Sequence, residues 1–337
     1  MKSIQVVVTD YIEPDLDWEK QRFQDMGVEF SAHQLKFAPH ETLVAAAKNA
    51  DVVIVNMAPM DVTLIGELER CKMIIRHGIG YDNVDVEAAT QRGILVVNVP
   101  DYCVPEVAEQ AVTLIMACQR KLLVQKDVLN VSAQEGKWVF QPVYPVYRLA
   151  GKTVGIVGFG RIGSTVYRML QGFGVKFLIY DPYLSEQRKQ EYGIQTCSFE
   201  ELLVNSDVVT IHCPLKWRET YHMFDAAQFK LMKPTAILVN TARGGIVNLD
   251  ALDEALKAGE LAHAGIDVYE VEPPPAGLQL LHNENATCTP HLSWLSEESG
   301  WTIREKIVAE VQRYLKGEKP LNLLNPEVLP ESNSERA

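Results

Sequence analysis

The sequence predicts an α/β protein built as two doubly wound parallel-sheet domains, and three observations carry that reading. The chain has 337 residues, room for two cores at roughly 150 residues per domain. Short apolar runs alternate with longer helix-like stretches from end to end, the pattern of a parallel sheet covered by helices on both faces. The alternation comes in two sets, separated by one long amphipathic stretch.

The first set of apolar runs lies at 5–9, 28–33, 51–56, 73–76 and 95–99, five strands of one open sheet. The opening run is broken by Thr9 and Asp10, so it reads as a first strand and not as a secretory leader. Residues 105–124 read as one continuous helix, because Val107, Ala111, Leu114, Ile115 and Cys118 recur at spacings of three and four. This helix is expected to open the second domain. The second set of strands is expected at 153–157, 176–180, 207–212, 236–240, 264–268 and 286–289. A last helix, 297–316, places Ile303, Ile307, Val311 and Leu315 on one face; no strand follows it, so it is expected to pack back on the first domain. The segment 325–337, with two prolines and mostly polar residues, reads as an extended or disordered tail.

Composition narrows the function classes. Apolar residues are 47% and charged residues 23% of the chain, which excludes a disordered or fibrous protein. Lys plus Arg number 32 against 44 Asp plus Glu, a net charge of −12, which speaks against nucleic acid and anionic membrane as partners. No stretch approaches the roughly 18–20 uninterrupted apolar residues that cross a bilayer. Cys71, Cys103, Cys118, Cys197, Cys213 and Cys288 form no CxxC pair and no ligand-like spacing, so neither a metal site nor a disulfide framework is expected. A soluble, cytoplasmic protein with reduced thiols fits these facts.

The chemistry begins at TVGIVGFGRIGSTVYRML, where Gly158, Gly160 and Gly163 form GxGxxG after a predicted strand and at the start of a predicted helix. The first glycine permits a tight turn, the second lets backbone approach a pyrophosphate, and the third lets helix and sheet pack closely. The helix N-terminus, with Arg161 and Ile162 in its first turn, offers unpaired N–H groups to the phosphates. The next strand ends in Asp181, about 20 residues on, where a carboxylate binds ribose hydroxyls. Asp181 repels a 2′-phosphate, and Pro182 and Tyr183 supply no cation to hold one, so NAD(H) is expected over NADP(H). Hydride transfer also moves a proton, which calls for a cation and an acid/base downstream. Arg243, Glu272 and His291 each follow a predicted strand, at the edge where open α/β sheets place ligands. Each alone is equally compatible with a turn, a solvated loop or a structural histidine.

Together, Arg243, Glu272 and His291, with gaps of 29 and 19 residues, resemble the D-isomer-specific 2-hydroxyacid dehydrogenases. RHGIGYDNVD, VVNVPDY, GFGRIG, YDPY, HCPL, MKPTAILVNTARGGIV, GIDVYEVEPP and TPHLSW fall in the family's order over residues 73–294. YDPY with PHLSW and SEES is most similar to the subgroup around the C-terminal-binding proteins, with hydroxypyruvate and glyoxylate reductases as neighbours. The resemblance implies that Arg243 grips the substrate carboxylate and polarises the 2-oxo group, that His291 donates or accepts the proton, and that Glu272 orients the imidazole. It further implies that Gly78, Ile79 and Gly80 bind the carboxylate through backbone N–H groups. Cys213, Pro214, Thr241, Ala242 and Asp267 are implied to line the cofactor, and Trp294 to cap the substrate side chain.

The resemblance also implies a flavodoxin-like substrate domain, 1–103 plus 292–337, carrying an inserted Rossmann NAD-binding domain, 104–291. Two chain crossings then make a hinge, and closure excludes water. The helix from Pro105 is a dimer element in the family, so a homodimer is expected. Asn248 stands where the family often has an acidic residue, and Ser293 where a small apolar one is usual; both bear on substrate preference. The expected reaction is NAD(H)-dependent reduction of a small 2-oxo acid, glyoxylate or hydroxypyruvate first. The alternatives are an NAD(H)-sensing corepressor-like scaffold and phosphite oxidation. The scaffold role needs extra terminal segments in relatives, whereas this chain is expected to end soon after its last helix. Glu272 in place of an amide speaks against formate oxidation.

Overall fold

The computed structural model describes residues 3–140 and 143–329. The chain divides into two compact units, residues 1–103 with 296–337, and residues 104–295.

The first unit holds β1 (Gln5–Val8), β2 (Glu29–Ala32), β3 (Val52–Val55), β4 (Met73–Arg76) and β5 (Leu95–Val97). All pairings are parallel, in the order β2-β1-β3-β4-β5. That is the flavodoxin-like order, with its switch point between β1 and β3. Central β3, VVIV, is buried throughout, whereas edge strand β2 alternates between exposed and half-buried positions, as the two places in a covered parallel sheet require. The C-terminal helix Glu297–Leu315 belongs to this unit. Its Ile303, Ile307, Val308 and Val311 pack with Val6, Val8, Ile54, Met73 and Ile75. Ser296 caps it: its hydroxyl accepts from the Ser299 N–H at 2.9 Å and the Ser299 hydroxyl accepts from the Ser296 N–H at 2.9 Å.

The second unit holds β6 (Thr153–Val157), β7 (Lys176–Tyr180), β8 (Val208–Ile211), β9 (Ile237–Asn240), β10 (His263–Ile266) and β11 (Ala286–Cys288). The sheet order is β11-β10-β9-β8-β6-β7, again all parallel. Strands β8, β9 and β10 are buried at every position. The switch point lies between β6 and β8, and a crevice at the carboxyl ends of those strands is where such a sheet receives a ligand.

Three expectations are corrected. The helix expected over 105–124 is two helices, Val104–Arg120 and Leu122–Glu135, divided at Lys121, whose φ is +50°. The first buries the expected face, Val107, Ala111, Leu114, Ile115 and Cys118, and all of these but Val107 share a core cluster with the sheet residues Val154, Ile156, Val208 and Val239. The second helix buries only Ser132 and leaves Leu122, Leu123, Leu129 and Val131 exposed. The supposed tail is anchored at its start. Asn325 is fully buried, its carboxamide accepting from the Val96 N–H at 2.8 Å and donating to the Ile94 carbonyl at 2.8 Å, and Pro326–Val328 form a 3-10 turn. The rest of that segment, 330–337, lies outside the described residues. Finally, the second unit runs to Leu295, four residues past the expected 291, because residues 292 and 293 are tied to Asp267 within it.

Candidate active site

The glycine turn follows β6 directly. Gly158 has φ +90°, and a Cβ there would stand 2.6 Å from the Cys213 backbone nitrogen, so the loop after β8 closes down on it. A Cβ on Gly163 would meet the Gly158 carbonyl oxygen at 2.1 Å, while a Cβ on Gly160 would meet nothing within 4 Å. The three glycines therefore divide as the chemistry needs: two admit neighbouring backbone, and one faces open space at the N-cap of helix Arg161–Leu170. Asp181 stands just past β7. Its carboxylate accepts from the Phe159 N–H at 2.8 Å and the Tyr183 N–H at 2.9 Å, so the acid is locked to the glycine turn itself.

Cys213 and Pro214 follow β8. Burial pushes the Cys213 thiol up to about 12, which makes it a packed neutral residue and no nucleophile. Thr241, after β9, is buried, and its hydroxyl oxygen has no hydrogen-bond partner among the described residues. His212 carries a second such atom, Nδ1, and burial holds its pKa down at about 3. Buried polar atoms are normally satisfied, so orphans beside an open glycine turn fit a site made for a polar ligand. Such a set could hold a dinucleotide: the helix N-terminus and Gly160 would face its phosphates, Asp181 a ribose, and Thr241 stands further along the sheet edge.

The candidate acid/base group comes from the other half of the sheet. Arg243 follows β9, Glu272 follows β10 and His291 follows β11, so three adjacent strands deliver the three residues. Nδ1 of His291 lies 2.7 Å from Oε2 of Glu272, whose Oε1 accepts from the Tyr269 N–H at 3.0 Å. The opposite ring nitrogen, Nε2, makes no hydrogen bond among the described residues. Burial pushes the Glu272 carboxyl up, but the His291 hydrogen bond and charge, the Tyr269 N–H and the Arg243 charge together hold it below the usual carboxylate range. Arg243 keeps an extended backbone, and its guanidinium donates to the Ala242 carbonyl at 2.9 Å. Asn240 braces this turn, donating to the Arg243 carbonyl at 2.9 Å and accepting from the Ala242 N–H at 3.0 Å. A Cβ on Gly244 would overlap the Tyr269 carbonyl carbon at 1.9 Å, so the ARGG loop lies directly on the loop that leads to Glu272.

Asp267, expected to line the cofactor, has a structural task that the sequence did not show. It is fully buried. Its carboxylate accepts from the Thr289 hydroxyl at 2.5 Å, the Leu292 N–H at 3.3 Å, the Ser293 N–H at 3.0 Å and the Ser293 hydroxyl. Those donors bracket His291, whose φ is +56°. Asp267 thus fixes the histidine loop in a conformation a non-glycine residue rarely adopts, and Ser293 is there because its hydroxyl completes the carboxylate's shell. Asn248 likewise has a local reason: its side chain caps helix Leu249–Lys257 by accepting from the Ala251 N–H at 3.1 Å. Trp294 is half-buried. In the first unit, Gly78 has φ +148° and its loop is braced by the Asn98 amide donating to the Ile79 carbonyl at 2.6 Å.

The expected absence of a cation near Asp181 also needs amendment. The loop after β8 brings Lys216 to 4.2 Å from the Tyr183 ring, a contact that a separation of 33 residues hid from the sequence reading. Among the described residues no group of three or more His, Cys, Asp or Glu is arranged to hold a metal ion. No helix among them is long and apolar enough to cross a membrane.

Comparisons with known proteins agree with this geometry. Residues 112–293 match the family model described as D-isomer specific 2-hydroxyacid dehydrogenase, NAD binding domain. The chain is 38% identical to the glyoxylate reductase of Korarchaeum cryptofilum over 293 residues, 86% of this chain and 87% of that protein. Its structure is similar to a D-lactate dehydrogenase from Aquifex aeolicus complexed with NAD and lactic acid, with TM-score 0.84 and 28% identity, covering 95% of this chain and 99% of that one. It is also similar to an acyclic imino acid reductase in complex with NADPH and D-Arg, with TM-score 0.84 and 25% identity over 95% of this chain and 100% of that one.

Proposed function

The chain belongs to the D-isomer-specific 2-hydroxyacid dehydrogenase family, and from that premise we propose that it is an NAD(H)-dependent reductase of a small 2-oxo acid, with glyoxylate and hydroxypyruvate as the first substrates to try. The observation that carries the proposal is the His291–Glu272 pair, joined through Nδ1 at 2.7 Å with Nε2 left open, next to Arg243 on the neighbouring strand end. A nicotinamide dinucleotide, when bound, supplies the hydride. The chain's own residues do the rest. Arg243 presents a planar, permanently charged guanidinium suited to a carboxylate and its adjacent oxo group. His291 delivers a proton from Nε2 to the oxo oxygen as the hydroxyl forms, and takes it back in the reverse direction. Glu272 accepts from Nδ1–H, fixes the ring and balances the charge of the imidazolium. Asp267 holds the loop that carries the histidine.

The same reading includes the finer points. Asp181, locked to the glycine turn, favours unphosphorylated ribose, hence NAD(H) over NADP(H). Gly78, Ile79 and Gly80 of the first unit are proposed as backbone donors to an anion, and Trp294 as an aromatic wall for the substrate side chain. The exposed apolar residues Leu122, Leu123, Leu129, Trp138 and Tyr144 support a homodimer, since a patch of this kind needs a cover. Six free cysteines support a reducing, cytoplasmic setting. The test is NADH oxidation against a panel of 2-oxo acids from glyoxylate to branched and aromatic members. Turnover concentrated on one class is the expected result; tight NADH binding with no turnover on any member would overturn the reductase reading.

A further inference from the structure

We propose that Glu219 sets the cofactor choice of this chain, by occupying Lys216, a cation that is otherwise placed to receive a 2′-phosphate. The proposal rests on the reading that Asp181 faces the adenosine ribose. Tyr183 is the hub of the arrangement. Its backbone N–H donates to Asp181 at 2.9 Å, its ring lies under the Lys216 ammonium at 4.2 Å, and its hydroxyl donates to Glu219 at 2.5 Å. Lys216 and Glu219 form an ion pair at 3.2 Å. The pairing is built into the loop: the Glu219 and Thr220 N–H groups both donate to the Lys216 carbonyl, and the Thr220 hydroxyl accepts from the Lys216 N–H at 2.7 Å. One tight turn therefore sets Lys216 and Glu219, three residues apart, on the same side.

The charges follow from this geometry. Asp181 and Glu219 contribute two negative charges around Tyr183 and Lys216 one positive, so a phosphate dianion arriving beside Asp181 meets a net negative cluster whose cation is already paired. An unphosphorylated ribose brings no charge and is indifferent to the pair. Removing the charge of Glu219 leaves Lys216 with only the Tyr183 ring, and the cluster becomes neutral. Both groups of the pair are exposed at the 40–45% level, and an exposed pair contributes little to stability, so the substitution alters recognition without unfolding the loop. The change in affinity for a 2′-phosphate is about five- to tenfold, the scale of one partly screened charge at this range.

The experiment measures binding, not turnover. NADH, NADPH, AMP and adenosine 2′,5′-bisphosphate are titrated by fluorescence or calorimetry into wild type, Glu219→Gln, Lys216→Gln/Glu219→Gln and Arg218→Gln/Glu219→Gln. The expected result is about five- to tenfold tighter NADPH and bisphosphate binding in Glu219→Gln, with NADH and AMP changed less than about twofold. The gain should vanish in the Lys216 double variant, persist in the Arg218 one, and shrink at about 0.5 M salt. An unchanged NADPH-to-NADH ratio in Glu219→Gln overturns the inference, as does a gain that survives loss of Lys216 or follows Arg218. If wild type binds neither dinucleotide, the reductase reading itself fails, and this inference with it.

Discussion

Each unit carries a histidine joined to a glutamate just beyond the carboxyl end of its parallel sheet, and, apart from the more exposed His222–Glu270 contact of the second unit, the pairs His77–Glu13 and His291–Glu272 are built to opposite ends. In the first unit His77 meets Glu13 at 2.9 Å, with side chains 11% and 10% exposed. In the second His291 meets Glu272 at 2.7 Å, with side chains 31% and 19% exposed. The attachment differs as well. His77 uses Nε2, its outer nitrogen, so the ring's far end is sealed; His291 uses Nδ1 and keeps Nε2 open. Burial pushes the Glu13 carboxyl up, but the hydrogen bond and charge of His77, with the N–H groups of Ile12 and Glu13, bring it down to about 2. A sealed pair is a fastener. An open pair, on a loop held at positive φ by a buried aspartate, is what the proposed proton carrier requires.

That contrast is broken most severely by attacking the sealed pair. His77→Ala leaves a buried carboxylate without its partner, a loss on the order of 3 kcal/mol, to be read as a lower midpoint in urea unfolding. The acid behaviour follows from the same pair. Because the folded pKa of Glu13 is depressed from 4.5 to about 2, its stabilisation is complete above the unfolded value and is lost as pH falls between the two. Wild type should therefore lose stability progressively from pH 4.5 to pH 2, and His77→Ala should show a shallower loss over that window.

A smaller effect sharpens the other half of the comparison. Glu272→Gln keeps the size of the side chain but removes the charge that orients and balances His291, so kcat for oxo-acid reduction should fall about 10–100-fold. Glu272 is also depressed from its ordinary value, so its stabilising share persists above that value and disappears as pH falls through the lowered one. The variant should unfold in acid with slightly less pH dependence than wild type, and a kcat unchanged within about twofold would mean the pair is a fastener after all.

Much of this was legible in the sequence because the informative residues are local. The strand runs, the GxGxxG turn and the strand-end positions of Arg243, Glu272 and His291 each depend on a few neighbouring residues, and all reappear in the fold. The division of the helix at Lys121 was hidden because no glycine or proline marks it. The bracing of the histidine loop by Asp267 was hidden because its partners lie 22 to 26 residues downstream. Glu13 with His77, and Tyr183 with Glu219, are 64 and 36 residues apart, and only the juxtaposed strand ends bring them together. Close-range chemistry is written in order along the chain, whereas pairings across the sheet edge are not.

The most direct measurement is NADH-dependent turnover on the best oxo-acid by His291→Ala and His77→Ala beside wild type, each scored per folded molecule and each titrated with NADH. His291→Ala should lose about 10²- to 10⁴-fold in kcat with NADH affinity within about threefold of wild type, while His77→Ala should lose stability and retain most of its kcat. Equal loss of kcat in both variants, or retained kcat in His291→Ala, would contradict the assignment of the open pair to proton transfer.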